Sequence, residues 1–242
     1  GYDIARMASL IAGLPIETGG VTVNRNCGSS LQAINQAAMS IAAGCEDVQI
    51  AGGVEHMHHI PMEAGFSFNP HFFYRPSPAV LNMGLTAENL AKKYKISRQE
   101  ADEFALESHQ KAGKATDSGH FKKEIVPLEI TRADGSKDTH HIDEGIRFDA
   151  TLDGIKGVKL IAENGKLSAA SASQICDGAS GVMVVNERGL KQLGLTPLAR
   201  IHHMTMTGGD PVIMLDAPLH ATKRALEKAG MKIDDIDLFE VN

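Results

Sequence analysis

The chain has 242 residues, an apolar content of 43%, and a net charge of −6 from 24 basic and 30 acidic residues. With no dense basic tract, that balance argues against a nucleic-acid-binding protein, yet leaves room for a local basic patch facing a phosphate-bearing small molecule. The three cysteines, Cys27, Cys45 and Cys176, are odd in number and lack Cys-x-x-Cys spacing, which fits a reducing, cytoplasmic setting. No signal peptide is read at the N-terminus, and no apolar run approaches the ~18 residues of a membrane span, so no integral membrane segment is expected.

Ile4 to Ile11 has the spacing of a short amphipathic helix, closed by Gly13 and Pro15. Val21 to Asn24 reads as a strand. Ser29 to Ala43 reads as a helix with Leu31, Ile34, Ala38 and Ile41 on one face and Gly44 at its stop. Its many small residues predict a central position. Val48 to Ala51 reads as a second strand, and the β–turn–α–β order predicts that the two strands run parallel.

From Glu55 the sequence turns loop-like, through His56-Met57-His58-His59 to Pro76-Ser77-Pro78. Thr86 to Tyr94 reads as a helix. Ser97-Arg98-Gln99-Glu100 is a capping box that opens a helix from about Arg98 to Thr116. Glu124 to Ile130 and Thr139 to Ile142 read as strands around the turn at Ala133-Asp134-Gly135-Ser136. The polar block from about 55 to 165 reads as an insertion carried by an α/β core. Then come a buried strand at Gly181–Val185, a short helix at Glu187–Leu193, a strand candidate at Leu198–Thr205, a helix at Pro218–Ala229 and a last strand at Leu238–Val241. The chain lacks an initiator methionine and closes on a strand-like run, which predicts a fragment.

Within Val21–Ala33 (VTVNRNCGSSLQA), Cys27 falls where a strand should turn into a helix. There the helix dipole and the unpaired N–H groups of the first turn favour negative charge on sulfur. Gly28 leaves room for a second group to approach. This reads as a nucleophile; a buried structural cysteine is the alternative. Cys45 reads as a packed residue and Cys176 as a core residue, with a place facing a cleft as the alternative for Cys176.

His56, His58 and His59 are adjacent in a loop with no cysteine close by, so solvated or hydrogen-bonded loop histidines are expected and no metal is. Lys92, Lys93, Lys95 and Arg98 form a basic stretch, read as a solvated helix end with a phosphate contact as the alternative. No dinucleotide, nucleotide-phosphate or Gly-x-Ser-x-Gly motif is present.

The segment Asn24-Arg25-Asn26-Cys27-Gly28-Ser29-Ser30-Leu31-Gln32-Ala33 resembles the nucleophile segment of the thiolases. Further segments agree in order and spacing: Gly52-Gly53-Val54-Glu55-His56-Met57, Met83 to Asn89, Ser97-Arg98, Ser173-Gln174 with Asp177-Gly178-Ala179, Asp210-Pro211 and Glu240-Val241-Asn242. The resemblance runs over nearly the whole chain. It implies two similar α/β halves in a layered α-β-α-β-α fold, present incompletely, with an inserted loop domain. Residues 1–54 and 166–195 would belong to the first half, 55–165 to the CoA-binding loop domain, and 196–242 to the start of the second half.

The resemblance also implies thiolytic cleavage of a 3-oxoacyl-CoA through an acyl-cysteine at Cys27. Asn242 would hold the oxyanion water as the first letter of an Asn-Glu-Ala-Phe motif. Coenzyme A would be a substrate, with no permanently bound cofactor. Arg147 would meet the adenine and phosphate end of CoA, Ser173 the pantetheine arm, and Met83 the acyl pocket. The family's catalytic histidine and second cysteine lie in motifs this chain does not contain, so these 242 residues alone are expected to be inactive. The family's edge strand at Gly20–Asn24 implies a homodimer or higher oligomer, and whether a multifunctional β-oxidation subunit binds is left open. Alternatives are a biosynthetic acetoacetyl-CoA thiolase, a non-catalytic CoA- or lipid-binding module, and a fatty-acid or polyketide condensing enzyme. Departures from the family pattern at Ser168-Ala169-Ala170-Ser171, Val158-Lys159 and Leu215-Asp216-Ala217-Pro218-Leu219-His220 leave acyl-chain preference open.

Overall fold

The computed structural model describes residues 2–62, 64, 65, 67, 69–71 and 82–241. The chain forms two compact units. One comprises Gly1–Ala64, Cys176–Met206 and Arg224–Asp237; the other comprises Gly65–Ile175, Thr207–Lys223 and Leu238–Asn242.

The first unit opens with helix α1 (Ile4–Ile11), capped by Asp3, whose carboxylate accepts from the amides of Ala5 and Arg6. Helix α2 (Ser29–Ala42) follows, and Gly44 takes the left-handed conformation (φ 76°) that ends it. Strand β1 (Val48–His56) pairs antiparallel with β4 (Asp177–Val185), in a register running from Val48 opposite Val185 to His56 opposite Asp177. Helix α2 lies against this pair, burying Ala37 and Ala38, while Ala51 is buried on β1. Small side chains give a close helix–sheet approach, as the sequence predicts. Leu31, on the expected apolar face, is instead 68% exposed. Asp47 joins the strand ends to helix α6 (Glu187–Leu193), accepting from Asn186 Nδ2 at 2.5 Å and from Arg188 Nη2 at 2.8 Å.

The parallel pair expected of Val21–Asn24 and Val48–Ala51 does not form. One edge of β1 is taken by β4, and Val21–Asn24 carries no ladder among the described residues. Thr22 is turned to other use: its hydroxyl accepts from Ile4 N at 3.0 Å and donates to Asp3 at 2.7 Å, tying the segment to the start of α1. Leu198–Thr205 and Leu238–Val241 are likewise not strands, because no partner edge among the described residues meets them.

The second unit is built on helices α3 (Met83–Lys93) and α4 (Arg98–Asp117). The expected capping box is present: Ser97 Oγ accepts from Glu100 N, and Glu100 reaches back to Ser97 N at 2.7 Å. Arg98 lies 2.6 Å from Asp102, whose side chain is fully buried, and also donates to the carbonyls of Ile155, Lys156 and Val158. This fixes α4 against α5 (Leu152–Lys156). Strands β2 (Leu128–Thr131) and β3 (Lys137–His140) form an antiparallel hairpin over the expected turn, shifted a few residues from the predicted bounds. Helix α7 spans Ala217–Ala229, its residues divided between the two units. Among the described residues no helix is long and apolar enough to cross a membrane.

Candidate active site

The backbone reverses sharply before α2. Asn26, and not Gly28, takes the left-handed conformation (φ 48°), which asparagine tolerates better than most residues. Its amide donates to Asn24 Oδ1 at 3.0 Å. Ser29 braces the same turn: its hydroxyl accepts from Arg25 N at 2.8 Å and donates to Asn26 O at 2.7 Å. Gly28 is the N-cap of α2, so Cys27 sits immediately before the cap, two residues before the first helical residue, and is exposed. A buried structural cysteine is therefore not what stands here.

The first-turn amides expected to face the sulfur are partly engaged. Gly28 N donates to Arg25 O and Ser29 N to Asn26 O, both at 3.0 Å. What remains is a position off the positive end of a 14-residue helix. Cys45 and Cys176 are also exposed, against the expectation of core packing. Cys45 falls in the turn after α2, and Cys176 in the segment entering β4, where side chains have little to pack against.

Helix α2 and strand β1 run in opposite directions, so the His56 end of β1 lies at the Cys27 end of α2. A close approach fixes this: a Cβ added to Gly53 would lie 3.0 Å from Ser30 Oγ. At that end Asp177 gathers the loop histidines. Its carboxylate lies 3.1 Å from both His56 Nδ1 and His58 Nδ1, and accepts from His58 N at 3.1 Å. The His58 amide, with smaller contributions from the two rings, holds the Asp177 carboxyl below its ordinary range. His56 thus closes β1 rather than standing in a loop, and both it and His58 are paired with an acid whose role the sequence did not disclose. The signal was its place at the start of a matched Asp-Gly-Ala segment.

In the second unit Met83 is the first residue of α3, half exposed, behind the cap Asn82. Glu88, one face along, accepts from Lys166 N at 2.9 Å and Leu167 N at 2.8 Å. Lys166 Nζ donates to Ile96 O at 2.7 Å. These contacts pin the segment leading to buried Ser168 and exposed Ser173. Arg147 is exposed, and its amide donates to His109 Nδ1 at 3.2 Å. Beside it opens a cleft of about 340 Å³ lined by His109, Gln110, Gly113, Lys114 and Phe148. Gln174, next to Ser173, donates to Gly145 O, two residues from Arg147. The structure therefore brings the Ser173 segment and the Arg147 turn together.

Two members of the basic stretch are already engaged. Lys93 binds Asp216 and Arg98 binds Asp102. Asn242 lies outside the described residues.

Residues 1–188 match the family model for the thiolase N-terminal domain, and residues 195–242 match that for the thiolase C-terminal domain. The chain belongs to the thiolase family. It is 46% identical over 244 aligned residues to a 3-ketoacyl-CoA thiolase of Vibrio cholerae serotype O1, covering 100% of this chain and 63% of that protein. A 3-ketoacyl-CoA thiolase of Vibrio vulnificus is 45% identical with the same coverage. Among solved structures, human mitochondrial 3-ketoacyl-CoA thiolase superposes with a TM-score of 0.86 at 35% identity, over 97% of this chain and 62% of its own. The Bacillus anthracis acetyl-CoA acetyltransferase gives 0.85 at 36% identity, over 98% and 63%. The fold is thus a thiolase-like α/β fold, and the chain spans 63% of the length of the first curated thiolase it matches.

Proposed function

We propose that this chain belongs to a degradative thiolase, an acyltransferase that cleaves a 3-oxoacyl-CoA with CoA. The observation that carries this reading is the exposed Cys27 at the entry to α2, inside a chain alignable throughout with 3-ketoacyl-CoA thiolases. The Cys27 sulfur, as thiolate, attacks the 3-keto carbonyl. The carbon–carbon bond breaks, its electron pair leaves as the acetyl-CoA enolate, and that carbon takes a proton. The shortened acyl group then passes from sulfur to the thiol of a second CoA. A covalent intermediate divides one hard step into two easier ones. A developing enolate oxygen calls for preorganised donors, and Asn242 with its water fills that role in this reading.

CoA is a substrate, its nucleotide end at Arg147, its pantetheine arm at Ser173 and the acyl chain near Met83. One of the similar solved structures is titled as human mitochondrial 3-ketoacyl-CoA thiolase in complex with CoA, which supports CoA as ligand. Residues 1–54 and 166–195 form the first-half core in this reading, 55–165 the loop domain, and 196–242 the start of the second half. The protein acts in the cytoplasm as a homodimer or larger oligomer, in fatty-acid β-oxidation.

The test is mass spectrometry of the full-length protein after incubation with an acyl-CoA. An acyl mass on the peptide carrying Cys27, absent from Cys27→Ser, supports the reading, as does thiolysis of 3-oxoacyl-CoA. An adduct elsewhere, or thiolysis that survives Cys27→Ser, overturns it.

A further inference from the structure

The amide of Gln174 bridges two segments that the CoA reading uses for opposite ends of one ligand. Gln174 Nε2 donates to Gly145 O. The amide of the same glycine donates to Asp143 Oδ1 at 2.7 Å, so the turn before Arg147 is tied on both sides. Gly145 carries no side chain, and a Cβ there would overlap Gln174 Oε1. The turn is therefore shaped to receive this amide. Beyond it, Arg147 N is held by His109 on α4 at 3.2 Å.

The Ser173 segment has its own anchor at the other end. Lys166 N and Leu167 N donate to Glu88 on α3, and Ser168 is fully buried with its amide bonded to Ser171 Oγ at 3.0 Å. Between that anchor and β4 the chain runs exposed through Ser173. Gln174 is where this run is fastened sideways to the Arg147 turn.

We propose that Gln174 is a positioning residue that sets the spacing between Ser173 and Arg147, so that the site recognises intact coenzyme A rather than its thiol arm alone. The inference rests on the CoA reading of those two residues. CoA is a long, freely rotating molecule. Gripping its second end adds most affinity when the two grips are held at a separation that the bound ligand spans. Gln174 supplies that constraint without touching the reacting atoms. It acts on binding of the whole CoA molecule and not on the carbon–carbon cleavage step.

The experiment uses the full-length protein with Gln174→Ala and Gln174→Glu, the second keeping length but losing the donor. Each is assayed with CoA and a 3-oxoacyl-CoA, then with N-acetylcysteamine and the matching 3-oxoacyl-N-acetylcysteamine thioester, which carry no nucleotide. The expected result is a roughly five- to tenfold rise in KM for CoA, the worth of one lost hydrogen bond. Values of kcat, and turnover of the truncated thioesters, should move less than about twofold, since uniform binding alone is lost. Gln174→Glu should equal or exceed Gln174→Ala. An equal loss with both substrate pairs, or an unmoved KM for CoA, overturns the proposal. A wild-type protein that turns over neither pair overturns the functional reading first, and the proposal with it.

Discussion

Lys93 Nζ lies 2.6 Å from Asp216 Oδ2, joining the last residue of α3 to a residue far along the chain that is only 4% exposed. Tyr94 Oη adds a longer contact to the same oxygen at 3.4 Å, and His220 Nε2 stands 4.0 Å from the other. Asp216 lies in the stretch Leu215–His220, and Met214, two residues before it, takes a positive φ of 37°. The pair tethers the end of α3 to this stretch and gives the Lys93 ammonium a carboxylate partner.

This pair predicts a pH window. The Lys93 hydrogen bond holds the Asp216 carboxyl below its ordinary value of 3.8, and the same bond holds the Lys93 ammonium above 10.5. Asp216 contributes stability that is present above its unfolded value and is lost as pH falls through its depressed folded value. Lys93 contributes stability that is present below 10.5 and is lost as pH rises through its raised folded value. Thermal midpoints of the full-length protein and of Asp216→Asn should therefore differ most between these limits and converge at both extremes. A constant difference from strong acid to strong base would refute the assignment.

Asp102 is the second buried acid, and its Oδ1 has no hydrogen-bond partner among the described residues. Asp102→Ala strands the Arg98 guanidinium between α4 and α5. Arg98 is 26% exposed and keeps three carbonyl partners, so the loss should sit at the low end for a broken buried pair, about 3 kcal/mol. Denaturant unfolding measures it. A cost below about 1 kcal/mol would show that the pair is solvated after all.

Gly53 and Ser30 set the spacing between β1 and the first turn of α2. With an added Cβ only 3.0 Å from Ser30 Oγ, Gly53→Ala makes that hydroxyl, in the first turn of α2, give by a few tenths of an ångström. Acylation of Cys27 should slow by roughly tenfold, since small displacements at reacting groups are costly. Ser30→Ala in the same protein should restore most of the rate. Absence of rescue would mean that the strain lies elsewhere.

Large apolar side chains stand exposed on this polypeptide, among them Leu198 (104%), Leu238 (90%), Ile11 (85%) and Val21 (72%). Expressed alone, the 242 residues should bind a hydrophobic dye and self-associate, as apolar patches and unpaired strand-like segments do. Light scattering that shows a dye-silent monomer would contradict this.

The sequence by itself determined whatever is closed within three or four residues. The Ser97–Glu100 box, the glycine stop of α2, the helix α1 and the turn that presents Cys27 are all local hydrogen-bond solutions, so their residues name them. The family was legible for a related reason: Cys-Gly-Ser-Ser and the other short segments keep order and spacing along the chain. Tertiary structure alone decided the partners. That β1 lies antiparallel to β4, and that Val21–Asn24 has no ladder, depends on which distant edge is available. That Asp177 serves His56 and His58, Glu88 the 166–167 amides, Gln174 the Arg147 turn and Asp216 Lys93 depends on side chains meeting across long loops. Hydrophobic period and capping are written in neighbours, whereas a carboxylate's partner is fixed only when the chain has folded back and brought distant side chains within hydrogen-bond reach.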